Sequence, residues 1–210
     1  MTSEPRRMVF ARIGALLWIV SAVGFFLFEA AAAAVFEPTY SYADDYISTL
    51  GVPGLSPLAS LMNAAFVMQA LLFPAGAVLL VASGRASKAW VLLVFTVPIA
   101  VGNILVATVH SGPPAGGGAD WHGVGAFFAI AGGNAAALAG SSALRRAGAS
   151  RPYRVVSVAL AILGFACLVA LQFPAAHAAV PVGAWERGAV YAVYAWQAVT
   201  GVYLLRRIQR

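Results

Sequence analysis

Residues 13–35 read IGALLWIVSAVGFFLFEAAAAAV, a run in which Glu29 is the only charged side chain. A helix rising about 1.5 Å per residue over that length crosses the ~30 Å of hydrocarbon in a bilayer. Nothing in the run alternates polar with apolar residues as a membrane strand does. It is read as a helix, which satisfies every backbone N–H and C=O inside its own segment. Five further runs of the same character follow at about 57–83, 89–109, 122–144, 155–173 and 188–205. The expected fold is therefore all-α: a six-transmembrane-helix bundle formed as a single domain over residues 1–210. Composition agrees, since 61% of the chain is hydrophobic and 10% charged, against about 25% charged in soluble domains.

The residues before the first run, MTSEPRRMVFAR, give it the basic start of a signal peptide, but the apolar stretch is too long for one and is read as a retained span. The basic residues then set the orientation. Arg6, Arg7 and Arg12 precede the first span, Arg85 and Lys88 follow the second, Arg145, Arg146, Arg151 and Arg154 lie between the fourth and fifth, and Arg206, Arg207 and Arg210 follow the sixth. Arg187 alone is left for the other side. The positive-inside bias predicts both termini in the cytoplasm of a cell with this chain in its inner or plasma membrane. It also accounts for the net charge of +6 with membrane lipids as partners and no nucleic acid. Cys167 is the single cysteine, which excludes an intrachain disulfide and suits a packing role.

This topology gathers the acidic residues and histidines at the outer face. The loop EPTYSYADDYISTLGVPG, residues 37–54, is expected to hold a short interfacial helix over residues 42–50, with Asp44, Asp45 and Ser48 on one face. Glu29, Asn63 and Asn103 fall at one depth, about 10 Å below the outer boundary, where they could touch; a carboxylate there needs a proton, a partner or water. His110 ends the third span, His122 begins the fourth, and Glu186 with Arg187 opens the sixth. A helix N-terminus favours neutral His122 and a C-terminus cationic His110, so the two are poised as base and acid. Arg187 at a helix start needs a carboxylate such as Asp45, Glu29 or Glu37. The candidate set is Asp45, Ser48, His110 and His122 for catalysis, with Glu29, Asn63, Asn103, Glu186 and Arg187 for ligand binding. His110, His122 and Asp45 could also hold a divalent metal such as zinc. No HExxH or GxSxG occurs, and HSGPPAGGGADWH, residues 110–122, lacks the strand, lysine and helix of a phosphate loop.

Within the spans, Gly125, Ala129, Gly133, Ala137 and Ser141 put a small residue at every fourth position of the fourth helix, which is expected to sit at the bundle centre. Pro74 and Pro98 are expected to bend their helices. Tyr191, Tyr194, Trp196 and Gln197 could line a cavity or simply pack.

The ordered set DYISTLG (45–51), Asn63, His110, HGVGAFF (122–128) and ERGAVYAVYAW (186–196) resembles the six-helix membrane family called domain of unknown function 998, over nearly the whole chain. More distantly, ISTLG followed by Pro57 and a polar second helix is similar to the Frag/DRAM membrane proteins, some of which are linked to lipid remodelling or distribution. Many of those have an acidic residue where this chain has Thr49. The first expectation for function is binding, with processing as an extension, of a lipid or amphiphile at the outer site, Arg187 holding an anionic headgroup and His122 acting as base. A non-catalytic partner or scaffold whose polar cluster is a latch is the alternative. A transporter ranks lower, because the cytoplasmic half offers only Asn134, Gln69 and Gln197 as polar groups in the spans.

Overall fold

The computed structural model describes residues 4–84, 90–110, 120–146 and 149–208, with the side chains of residues 145 and 146 outside that description. Arg85, Lys88 and most of the glycine-rich loop after His110 also lie outside it. Helix α1 runs Glu4–Ala34, α2 Ala59–Ala82, α3 Val91–Thr108, α4 Trp121–Arg146, α5 Arg151–Ala170, α6 Pro174–His177 and α7 Val182–Ile208, with a 3₁₀ turn at Ile47–Gly51 before α2. All but α6 are long and apolar enough to cross a membrane, so the chain is an all-α, multi-span membrane protein.

Two spans are longer than their apolar runs. α1 starts at Glu4 and α7 at Val182, because polar residues near the membrane interface keep the helical hydrogen bonds that water alone would otherwise satisfy. The earlier start of α7 moves Glu186 and Arg187 out of the first turn, where they were expected, and into the second. α5 begins at Arg151 with Pro152 in its first turn, where a missing N–H costs no helical bond. Pro74 and Pro98 both lie inside continuous helices.

Each long helix packs on its neighbour in the chain, and α7 closes the ring against α5 and α1 while also touching α4. The expectation that α4 occupies the centre is corrected: α4 is one member of this ring. Its small residues serve its neighbours instead. A Cβ added at Gly102 of α3 would run into the backbone of Gly125 and Ala129, and one at Gly133 would run into Val193 of α7. Close backbone approach of this kind replaces the hydrophobic driving force that lipid does not supply. Gly102→Leu is accordingly expected to destabilise the bundle by about 1–3 kcal/mol through overpacking, read as a lower unfolding midpoint in detergent.

The core has two main layers. Toward the end carrying Asp45, Phe25 stacks on Tyr194 with centroids 3.9 Å apart, and Met62, Phe66, Ile47 and Leu50 fill around them. Toward the other end, Trp18 stacks on Phe73 at 5.3 Å, leans on Trp196 at 5.2 Å, and donates its indole N–H to the Phe73 carbonyl at 3.0 Å. Outward-facing side chains such as Leu27, Leu71, Val97 and Ile162 are exposed, as lipid contact requires. Cys167 is buried as a free thiol, in a small cluster with Ile130, Leu168 and Ala189.

Candidate functional site

The paired aspartates hold the first long loop to itself. Ser41 N–H donates to Asp45 Oδ2 at 2.8 Å, Ser41 Oγ donates to Asp44 Oδ2 at 2.6 Å, and Asp44 N–H donates to Ser41 Oγ at 3.1 Å. Short acidic side chains that bond nearby backbone compete with helix formation. The expected helix over 42–50 is therefore replaced by this turn followed by the 3₁₀ segment Ile47–Gly51, and Asp44, Asp45 and Ser48 do not share a face. Asp45 offers its neighbours a backbone carbonyl, while its carboxylate is spent on Ser41.

That carbonyl accepts from Arg187, whose guanidinium is the hub of the end. Arg187 Nη1 donates to Asp45 O at 2.8 Å and to Gly183 O at 3.1 Å, and Nη2 donates to Glu29 Oε1 at 3.2 Å and to the Tyr40 hydroxyl. Glu29 accepts in turn from Tyr191 OH at 2.9 and 2.8 Å on its two oxygens. The guanidinium carbon sits 5.3 Å from the Tyr40 ring centroid and 4.8 Å from that of Tyr42, within cation–π range. Glu29 and Arg187 are 2% and 6% exposed, so this is a buried, hydrogen-bonded ion pair. Of the carboxylates expected to face Arg187, Glu29 does. Tyr40 was not singled out by the sequence; an aromatic in a polar loop carried no signal beyond its proximity to the aspartates. Burial pushes its phenol well above the usual tyrosine range, against the opposing Arg187 charge, so it remains a neutral donor to Tyr46 O at 2.9 Å.

The loop is seated at three other points. The Ile47 N–H donates to Glu186 Oε2, Asn63 Nδ2 donates to Gly51 O at 2.8 Å, and the Ala184 N–H donates to Ala43 O at 2.9 Å. A Cβ at Gly183 would run into the carbonyls of Asp45 and Ala43, so glycine is what lets loop and α7 touch. Asn63 Nδ2 also lies 3.4 Å from His110 Nε2. Asn103 donates to Ile99 O of its own helix at 2.8 Å. Glu29, Asn63 and Asn103 thus bond to different partners, and the contact among them allowed by their common depth is not made.

His122 and Ser48 face empty space. The His122 Nδ1 lies 2.6 Å from Val109 O; a carbonyl only accepts, so Nδ1 carries a proton there, and in the neutral ring Nε2 is the basic nitrogen. Ser48, Gln69, Asn103, His122 and Glu186 line a cavity of about 50 Å³, room for a few water molecules. Beside it, between α4 and α5, runs a groove of about 830 Å³ walled by Phe127, Phe128, Leu168 and Leu171. Ser48, His122, Ala126, Ile130 and Glu186 border both spaces. At the cavity wall Gln69 Nε2 donates to Gln197 Oε1 at 2.8 Å, Gln197 Nε2 donates to Gln69 Oε1 at 3.2 Å, and Ser21 Oγ donates to Gln69 Oε1 at 2.5 Å. The apolar patterning of α2 and α7 gave no hint that these two glutamines meet.

This geometry bears on two expected roles. Among the described residues no three His, Cys, Asp or Glu side chains are placed to hold a metal ion: Asp45 turns to Ser41, His122 to Val109 and His110 to Asn63. Arg187, expected to hold an anionic headgroup, has Nη1 and Nη2 on acceptors of its own chain and Nε buried without one among the described residues. No curated protein and no solved structure matches the chain, and the likeness to the Frag/DRAM proteins is not shown. The model of the family described as "Protein of unknown function (DUF998)" matches residues 6–203, nearly the full length that carries the bundle, its seated loop and its cavity, and the chain belongs to that family.

Proposed function

We propose that the protein binds a lipid or amphiphile at the outer end of the bundle, entering sideways between α4 and α5. The observation that carries this reading is the shared border of groove and cavity, where Ser48, His122 and Glu186 stand beside the groove's apolar wall. A chain lying against Phe127, Phe128, Leu168 and Leu171 would bring its polar head to Ser48, His122 and Glu186. Because those three present a hydroxyl, a basic ring nitrogen and a carboxylate, the head they suit is one that donates hydrogen bonds, a hydroxyl- or ammonium-bearing group. An anionic head, first expected from Arg187, is disfavoured. Processing of the ligand would fall to His122 as base and Ser48 as its hydroxyl neighbour, with Asp45 playing no part.

The test is mass-spectrometric quantification of amphiphiles that copurify with, or exchange into, the detergent-solubilised protein. Ala126→Trp blocks the junction between groove and cavity without touching the ion pair; it is expected to lower bound amphiphile by more than about tenfold at an unchanged unfolding midpoint. His122→Ala is expected to lower it about tenfold through one lost polar contact. Unchanged binding in both variants overturns the proposal.

A second reading is favoured for Glu29, Tyr40, Arg187 and Tyr191 in particular. Their polar groups are directed at one another and at the loop backbone, which is the arrangement of a structural latch in a non-catalytic membrane partner.

A further inference from the structure

The opposite end of the α4–α5 seam holds a second groove, of about 580 Å³, lined by Leu138, Ser141 and Ser142 of α4 and by Arg151, Arg154, Val155, Val158, Ala159 and Ile162 of α5. The α5 residues recur at i, i+3, i+4, i+7, i+8 and i+11, which places them in a single stripe. Two arginines head that stripe and apolar side chains continue it into the membrane. Arg151 and Val155 are exposed and Arg154 is half-buried, while Ile162 is 60% exposed, so the stripe faces outward from the bundle.

The first turn of α5 supplies no answer to its own charge. Arg151 and Arg154 occupy the first turn of α5, where the helix dipole opposes cations, yet that turn holds no acidic residue and Ser150 makes no side-chain cap. Arg154 Nε is buried and has no acceptor among the described residues. Arg187 Nε is likewise buried without an acceptor, although its Nη1 and Nη2 meet four. An anion seated in the groove would lie against both arginines that line it and complement their charge and the dipole.

We infer that this groove is a binding site for an anionic phospholipid, its phosphate held by Arg151 and Arg154 and its acyl chain laid along Val155, Val158 and Ile162. The apolar length below the arginines selects a lipid over a free phosphate, since inorganic phosphate uses none of it. The site is independent of the cavity at the other end and of whatever that cavity binds.

The experiment is native mass spectrometry of the protein released from nanodiscs of phosphatidylglycerol and phosphatidylcholine. Retained phosphatidylglycerol should fall about thirtyfold in Arg151→Gln/Arg154→Gln, from roughly fivefold per arginine at an anionic surface, and should persist in Arg12→Gln/Arg206→Gln, which removes equal charge elsewhere at that end. Val158→Trp, which fills the groove and keeps both arginines, should also lower retention. Circular dichroism and the unfolding midpoint identify any variant that fails to fold, and Arg151→Lys/Arg154→Lys then serves in its place, with partial retention expected because the charge persists without the planar fork. Equal loss in the two arginine pairs, equal retention of phosphatidylcholine, or protection from unfolding by inorganic phosphate alone matching that by the lipid would overturn the inference.

Discussion

Arg187→Met should destabilise the protein by about 3–5 kcal/mol, the range for removing one partner of a buried ion pair. The substitution leaves Glu29 buried against Tyr191 with its charge uncompensated, and strips a donor from Asp45 O and from the Tyr40 hydroxyl. It therefore acts on the loop as well as on α1 and α7. Cleavage by chymotrypsin at Tyr42 and Tyr46, both already partly exposed, should accelerate as the loop detaches. Glu29→Met should be comparably damaging alone. The double variant should recover much of the loss, since an apolar pair leaves no orphaned charge. Unfolding in mixed detergent micelles measures all three, and additive losses would contradict a coupled pair.

Trp18→Ala should cost about 3 kcal/mol, the low end for deleting a buried aromatic. In lipid the transfer part of that penalty shrinks, because the unfolded helices are already in an apolar solvent; what remains is the cavity and the lost dispersion contacts. Trp18 is fully buried between Phe73 and Trp196, and Gly76 leaves no room for anything to move in without shifting that indole. Trp18→Phe separates the terms: it keeps most of the stacking and removes the N–H to Phe73 O, for a loss of about 1 kcal/mol. The same unfolding assay reads both, and a Phe variant as weak as the Ala variant would make the hydrogen bond the dominant element.

The polar residues divide by how far their partners lie along the chain. Asp44 and Asp45 bond to Ser41, three and four residues away, yet even this local turn was misread as helix, because side-chain competition with the backbone leaves no periodic signature. Glu29 and Arg187 are 158 residues apart. Their shared end followed from the arrangement of basic residues, and the need of a deep carboxylate for a partner followed from its cost in hydrocarbon; which of three carboxylates would meet Arg187 did not. The arginine expected to grip a ligand has both terminal nitrogens held by its own chain, while the groove residues Ala126, Phe127 and Leu171 carried no chemical signal at all, since they matter only by where they leave space.

What the chain by itself determined is the class of solution: long uninterrupted apolar runs must be helices in a bilayer, and arginines gathered in alternate connections sort its ends by charge. Those are properties of each segment against its solvent, readable one segment at a time. The packing order of the ring, the seat of the loop on Gly183, the meeting of Gln69 with Gln197 and the opening of the α4–α5 seam at both ends were decided only by tertiary structure. They depend on shape matching between surfaces that are equally apolar, where lipid and neighbouring helix differ little in hydrophobicity and only close contact distinguishes them.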